Sequence, residues 1–304
     1  MGYEIQTQTG QPSDTIQFTF REPLQAYALG IGKFTLYYGS ATTNHWVEQM
    51  SISLQTNQPE PAQVASNVLS VTLQAQLKDN DGHYIDIANS SISVVCVANT
   101  GSLDNQTALA NVLDVTQKQP REVQIPSATG LTVLTTCLSG FDLNYDTTDH
   151  EFQGATASSG ISPQPTGQGL IEATAKIWDG SGNLASGSID AGVLASTDTP
   201  APFMAQQVKV MSGTGIGTKL SFPSPVGQVA ALIQSFNVQY ATGDEPLSNI
   251  TVGCDSASAT GSTVTLGYSY AWFTDGYGHS QDDSLSYVNL LVVGVPLASA
   301  SDRS

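Results

Sequence analysis

Positive charge is what this 304-residue sequence has least of: nine Lys and Arg stand against 26 Asp and Glu, a formal net charge of −17. Nucleic-acid binding rests on cations that neutralise phosphates, and no basic stripe is present to do so, which excludes a nucleic acid as partner. An anionic membrane surface repels such a chain for the same reason, and no apolar run approaches the roughly 20 residues of a membrane span. Cysteine is scarce as well. Cys96, Cys137 and Cys254 form an odd set without Cys-x-x-Cys spacing, which argues against a repeated disulfide or metal cage and reads as isolated thiols. The opening Met1-Gly2-Tyr3-Glu4-Ile5-Gln6-Thr7 has neither a basic nor an apolar signal region, so no secretory signal is expected. The expectation is a chain made soluble in the cytoplasm, for which any extracellular life needs another exit route or release as part of an assembled particle. Catalytic signatures are missing too. There is no Gly-x-Ser-x-Gly elbow and no His-x-x-x-His pair, and Gly213 to Lys219 carries Thr218 where a phosphate loop needs Gly. The sequence is therefore read as that of a non-enzyme without cofactor.

What is present is a β-rich mixture. Apolar residues make up 40% and charged residues only 12%, with 28 Gly and 14 Pro to supply turns. Three stretches share one skeleton. Each starts on an aromatic-led strand: Phe34-Thr35-Leu36-Tyr37-Tyr38, Phe141-Asp142-Leu143-Asn144-Tyr145 and Phe236-Asn237-Val238-Gln239-Tyr240. Roughly forty residues later each carries Asp-x-x-Gly, at Asp79 to Gly82, Asp179 to Gly182 and Asp275 to Gly278. Each closes on an apolar run: Val94 to Val97, Ala191 to Leu194 and Leu290 to Val293. A period of about a hundred residues is a domain length and not a solenoid repeat. Period-2 runs such as Val47 to Leu54 and Leu69 to Leu77 fill the intervals, separated by Gly, Asn, Asp and Pro. The expected fold is all-β: three tandem antiparallel β-sandwich domains related by internal repetition, over 1–100, 120–197 and 203–298. Residues 101–119 are expected to connect the first two, with Leu103, Leu109, Val112 and Leu113 in rough helical spacing. Ser158 to Gly169, rich in Gly and Pro, reads as a loop. Phe34, Phe141 and Phe236 are expected in the core, because one apolar position kept in three copies is most simply a packed one.

The Asp-x-x-Gly element reads as a structural turn, Asp bonding its own backbone and Gly supplying positive φ. Asp79-Asn80-Asp81-Gly82 looks like the front of a calcium loop but lacks the downstream bidentate Glu. His45 and His150 fall at similar places after the aromatic strand, beside Trp46 and Asp149, while His83 and His279 follow the hairpin Gly. No close histidine spacing marks a zinc site, and no metal is expected. The candidate ligand-binding residues are His45, Trp46, Asp149 and His150, in the loops Asn44-His45-Trp46 and Asp149-His150. There an indole beside polar turn residues offers a stacking face and a donor. The competing reading starts the next strand at Trp46 and buries it. Repeat three has Gly243-Asp244-Glu245 at this place and no aromatic residue.

The order of features in repeat one resembles the H-type lectin domain, a short six-stranded β-sandwich. The residues that carry the likeness are Phe20, Pro23, Ala28-Leu29-Gly30-Ile31, Phe34, Val71 to Leu77, and Val94-Val95-Cys96-Val97-Ala98. It departs at Cys96, where that family commonly has Trp, and none of its sugar-contacting residues is matched. The resemblance implies glycan binding, and since such lectins work as trimers, three fused copies would imitate one. Two functions follow as expectations. One is a non-catalytic recognition or adhesion protein that binds glycan or a protein surface. The other is a structural or assembly component of a virus-like or injection particle, such as a decoration, fibre or tail protein. Either one suits a homo-oligomer or a larger particle.

Overall fold

The computed structural model describes residues 2–39, 45–57, 66–102, 105–146, 148–212, 216–241, 243, 245–275, 279 and 281–297, and these are all-β, with no helix among them. The first repeat supplies β1 (Tyr3–Gly10), β2 (Thr15–Thr19), β3 (Ala26–Tyr37), β4 (Gln49–Thr56), β5 (Val68–Lys78) and β6 (Ser91–Asn99). Then come β7 (Thr107–Thr116), β8 (Arg121–Gln124), β9 (Val133–Asn144), β10 (Gly154–Pro163), β11 (Gln168–Trp178), β12 (Leu184–Ser186) and β13 (Ser188–Ser196). The last set is β14 (Met204–Met211), β15 (Lys219–Ser221), β16 (Val226–Gln239), β17 (Asn249–Cys254), β18 (Ala257–Thr260), β19 (Thr263–Leu266), β20 (Ser269–Thr274) and β21 (Tyr287–Pro296).

Two expectations are corrected. The helical spacing in 101–119 belongs to a strand: β7 runs along β13 from Thr107↔Ser196 to Thr116↔Ser188, with Leu109 and Val115 turned into the core. The ladder to β13 satisfies every second backbone group of the strand, and this tertiary pairing overrides a helical pattern even though Ala108, Leu109, Ala110 and Leu113 are good helix formers. Leu103 lies outside the described residues. The supposed loop at 158–169 forms the paired ends of β10 and β11, from Ser158↔Thr174 to Pro163↔Gly169, and only its tip turns, at Gly167 with φ +77°.

The three large sheets share one strand order: β1-β6-β3-β17-β20, β7-β13-β9-β4-β5-β2 and β14-β21-β16-β10-β11-β12, the last with β8 also on β11. A small sheet, β15-β19-β18, stands apart. Each large sheet turns on one long strand, β3, β9 or β16. This strand pairs on one side with the closing strand of its own repeat and on the other with a strand of another repeat. Phe34 thus lies opposite Ile92 and Val252, Phe141 opposite Ile189 and Ile52, and Phe236 opposite Val288 and Ala157. A bulge interrupts each long strand at the corresponding residue: Gly32, Ser139 and Gln234. The sheets therefore combine strands from both sides of the boundaries read from the sequence near 100, 120, 197 and 203. Repeat one gives β2, β4 and β5 to the second sheet, repeat two gives β8, β10, β11 and β12 to the third, and repeat three gives β17 and β20 to the first.

This exchange explains the two-part sequence of the long strands. From Tyr27 to Gly32 every residue of β3 is buried, and from Lys33 on the burial alternates. The apolar first half is enclosed on both faces, whereas the aromatic second half has one face in the core. At the centre Phe34, Phe141 and Phe236 close a triangle of rings with centroids 5.5, 5.8 and 5.6 Å apart. They are 1%, 3% and 0% exposed, as the sequence leads one to expect. Four residues earlier, the corresponding positions are Gly30, Cys137 and Leu232. A Cβ at Gly30 would collide with the Leu232 side chain and lie 2.6 Å from Cys137 Sγ, so the small residue of one repeat makes room for the larger ones of the others. Enclosure in this layer pushes the Cys137 thiol up to about 12.

Candidate functional site

Beyond the triangle of phenylalanines the three long strands end at Tyr37, Asn144 and Gln239, and each is followed by a tyrosine, Tyr38, Tyr145 or Tyr240. Short bridges close a ring here: Val47 with His150, Phe152 with Glu245, and Leu247 with His45. Each bridge is a reciprocal pair of backbone hydrogen bonds, such as His45 N–H to Leu247 O at 3.2 Å and Leu247 N–H to His45 O at 2.9 Å. Val47, Phe152 and Leu247 turn inward and are buried, sealing the end of the core. His45, His150 and Glu245 hold matching places on the ring.

Behind each of these three residues sits the aspartate of an Asp-x-x-Gly turn. Asp79 Oδ1 accepts the N–H groups of Asp81 and His83 at 3.1 and 2.8 Å, and Asp179 Oδ1 accepts those of Ser181 and Asn183 at 3.0 and 2.7 Å. Asp275 Oδ1 accepts the N–H of His279 at 2.9 Å. Gly82 and Gly182 take φ of +93° and +95°, so the element is the turn its sequence suggests. Gly278 lies outside the described residues.

The second oxygen of each carboxylate meets a side chain from the same turn: His83 Nδ1 at 2.6 Å, Asn183 Nδ2 at 2.6 Å and His279 Nδ1 at 2.5 Å. It also faces the ring. His45 Nδ1 lies 3.1 Å from Asp79 Oδ2 and His150 Nδ1 lies 3.0 Å from Asp179 Oδ2, while Glu245 approaches His279 Nδ1 at 3.5 Å. The His45 and His83 rings lie over one another with centroids 3.9 Å apart, and Tyr38 packs on His45 at 4.9 Å. Thr148 Oγ1 is 3.1 Å from His150 Nε2, which sets a hydroxyl, an imidazole and the Asp179 carboxylate in a row.

Burial raises the carboxyl pKa of Asp79, but the His83 backbone and ring hydrogen bonds and the nearby imidazoles outweigh it and hold Asp79 below the usual range. His45 is lowered by burial and by the neighbouring His83, against the opposing pull of Asp79. Burial, then the Asp79 charge, lifts Tyr38 well above the ordinary phenol, and its hydroxyl donates to Trp46 O at 2.8 Å.

The four residues singled out in the sequence meet here. His45 is buried at the ring, and His150 is partly buried on Asp179, the aspartate of its own repeat. Asp149 Oδ2 accepts the Asn80 N–H at 3.3 Å, joining the first and second repeats. Trp46, between two ring residues, is 47% exposed, so it does not enter the core as the competing strand reading required. Asn44 and Asp244 lie outside the described residues. Sequence reasoning missed the convergence of His83 on His45 and of His279 on Glu245. The available signal was the recurrence of His directly after the turn glycine in two of three repeats. No described helix is long and apolar enough to cross a membrane. Compared with known proteins, the chain matches no family model and no curated protein, so the functional reading rests on this geometry.

Proposed function

We propose that the chain is a non-catalytic recognition protein with a glycan-binding face at the His45–Trp46 corner of the ring. In this reading three β-sandwich units, related by internal repetition, exchange strands to form one body. The observation that carries it is the exposure of Trp46 beside polar groups that are already fixed in place. The indole has an open face for the C–H side of a sugar ring. The Asp79 turn fixes Asp81 and, through the Asn80 N–H, Asp149, and these residues offer amide donors and carboxylate acceptors of the kind that bind hydroxyls. Tyr84, directly after His83, is 64% exposed on the same turn. A preorganised polar rim with a rigid aromatic platform binds at low entropic cost.

The other two corners hold Glu151 and Pro246 where repeat one has Trp46. Binding is therefore expected at one corner and not at all three. Trp46→Ala, tested with wild type on a glycan array and by thermal unfolding, decides the matter. Lost glycan binding with an unchanged melting temperature supports the reading. Wild-type glycan binding by the variant removes the Trp46 corner as the site, and assembly into particles by a wild type that takes up no glycan favours the structural alternative.

A further inference from the structure

We propose that His45, Asp79 and His83 form a binding site for a divalent first-row transition cation of the zinc type. Three potential donor atoms converge: His45 Nδ1 and His83 Nδ1 stand 3.1 and 2.6 Å from Asp79 Oδ2, and all lie within 4.8 Å of one another. Two imidazole nitrogens and one carboxylate oxygen are the donor set that zinc, cobalt, nickel and copper prefer, whereas calcium seeks six or more oxygens and finds one carboxylate in this trio. A tetrahedral cation about 2.0–2.2 Å from each donor holds the donors about 3.3–3.6 Å apart. His45 and Asp79 already stand near that separation. His83 has to withdraw by less than about 1 Å, and its side chain is half exposed, at 52%. The Asp79 carboxylate cannot swing away, because its other oxygen accepts two backbone N–H groups.

The comparison that gives this meaning lies within the chain. In repeat two the same carboxylate cradle is completed by Asn183, whose backbone N–H and side-chain Nδ2 reach the Asp179 carboxylate at 2.7 and 2.6 Å. The turn therefore needs only a donor hydrogen at that position, and an amide supplies it. Histidine at position 83 adds what the turn does not require: its Nδ1 donates to the Asp79 oxygen in the metal-free chain, and with the proton moved to Nε2 it offers a cation a nitrogen lone pair beside that oxygen and a second imidazole. Repeat two, with one imidazole and an amide, is then a built-in blank. Repeat three, with Glu245, Asp275 and His279, has a single nitrogen and a harder donor set. The inference concerns the inner residues and stands whether or not a sugar binds at Trp46 beside them.

The test adds Zn2+ to the tag-free chain in competition with a chromophoric chelator, and Co2+ with its visible absorption as a report on coordination. His83→Asn copies repeat two and is expected to keep the metal-free melting temperature while weakening Zn2+ binding by at least about tenfold, the scale set by the loss of even one outer-shell partner. His45→Gln is expected to give the same loss and replaces the first variant should that one fail to fold. His279→Asn is expected to leave this site unchanged. Zn2+ affinity that is equal in wild type, His83→Asn and His45→Gln overturns the proposal, as does binding that disappears only in His279→Asn.

Discussion

Replacing Phe236 by alanine removes one ring from a triangle to which every repeat contributes one. The side chain is 0% exposed, and its ring lies 5.8 Å from Phe34 and 5.6 Å from Phe141. Truncation of a buried Phe costs about 3–5 kcal/mol through lost transfer energy and the cavity left behind. Two edge-to-face contacts, each worth about 0.5–1.5 kcal/mol beyond buried area, place the expectation at about 4–5 kcal/mol. For 304 residues, unfolding entropy of about 2.1 cal/mol/K per residue gives roughly 0.6 kcal/mol/K, so the melting temperature should fall by about 6–8 °C. Differential scanning calorimetry is the assay, because the shape of the trace matters as much as the shift. Shared sheets and a shared triangle require one cooperative transition, which Phe34→Ala, Phe141→Ala and Phe236→Ala should each move as a whole. The double variant Phe34→Ala with Phe236→Ala should depart from additivity by about 0.5–3 kcal/mol, since the two rings touch. A trace that resolves three transitions, of which Phe236→Ala moves only one, would refute the interlocked core.

Asp190 is raised above the usual carboxyl range by burial, and further by the Asp114 and Asp142 charges, against the Asp114 N–H that it accepts at 2.9 Å. A raised folded pKa means that its contribution to stability is complete below about pH 4, the unfolded value, and is lost as pH rises through the folded value. Asp190→Asn keeps the acceptor and removes the charge. It should therefore gain on wild type between pH 5 and pH 8 in urea midpoints, and a variant less stable than wild type at pH 8 would contradict this assignment. Gly253, in β17, has φ of +123°, and a Cβ there would strike Gly32 O and lie 2.5 Å from Lys33 Cα. Gly253→Ala should cost about 1–3 kcal/mol in strain and a similar amount in overpacking, measured as a loss of thermal stability.

The residues that forecast their places best were those whose pattern depends on one strand alone. Phe34, Phe141 and Phe236 announce a core position by recurring, and the aspartate of each Asp-x-x-Gly announces a turn through its own backbone. The first inference needs only the copies laid side by side, and the second only the nearest residues along the chain. Strand partners across repeats are another matter. Ile52 pairs with Phe141 and Val252 with Phe34, and nothing in an alternating pattern states whether β4 lies beside β3 or beside β9. The apolar runs Tyr27 to Ile31 in β3 and Val229 to Ile233 in β16 were the sequence trace of the exchange, because a strand with one solvent face alternates; in β9 the same stretch holds Thr135 and Thr136, which are buried all the same and hide the trace. The helical reading of 101–119 failed for a related reason: β7 owes its conformation to β13, some eighty residues away.

The ring of clusters shows why a correct account of a turn can say so little about a site. In all three repeats the turn satisfies the first carboxylate oxygen with backbone N–H groups, and that requirement accounts for Asp in every copy. The second oxygen needs only a donor, and His83, Asn183 and His279 all provide one. The fold therefore leaves open the identity of that residue and of its ring partner, His45, His150 or Glu245, as long as each closes its backbone bridge. Three corners with one architecture are thus free to carry two imidazoles, an imidazole and an amide, or an imidazole and a second carboxylate. Positions whose side chains differ while their hydrogen bonds stay the same are where chemistry can diverge without a cost in stability, and in this chain those positions are gathered on a single rim.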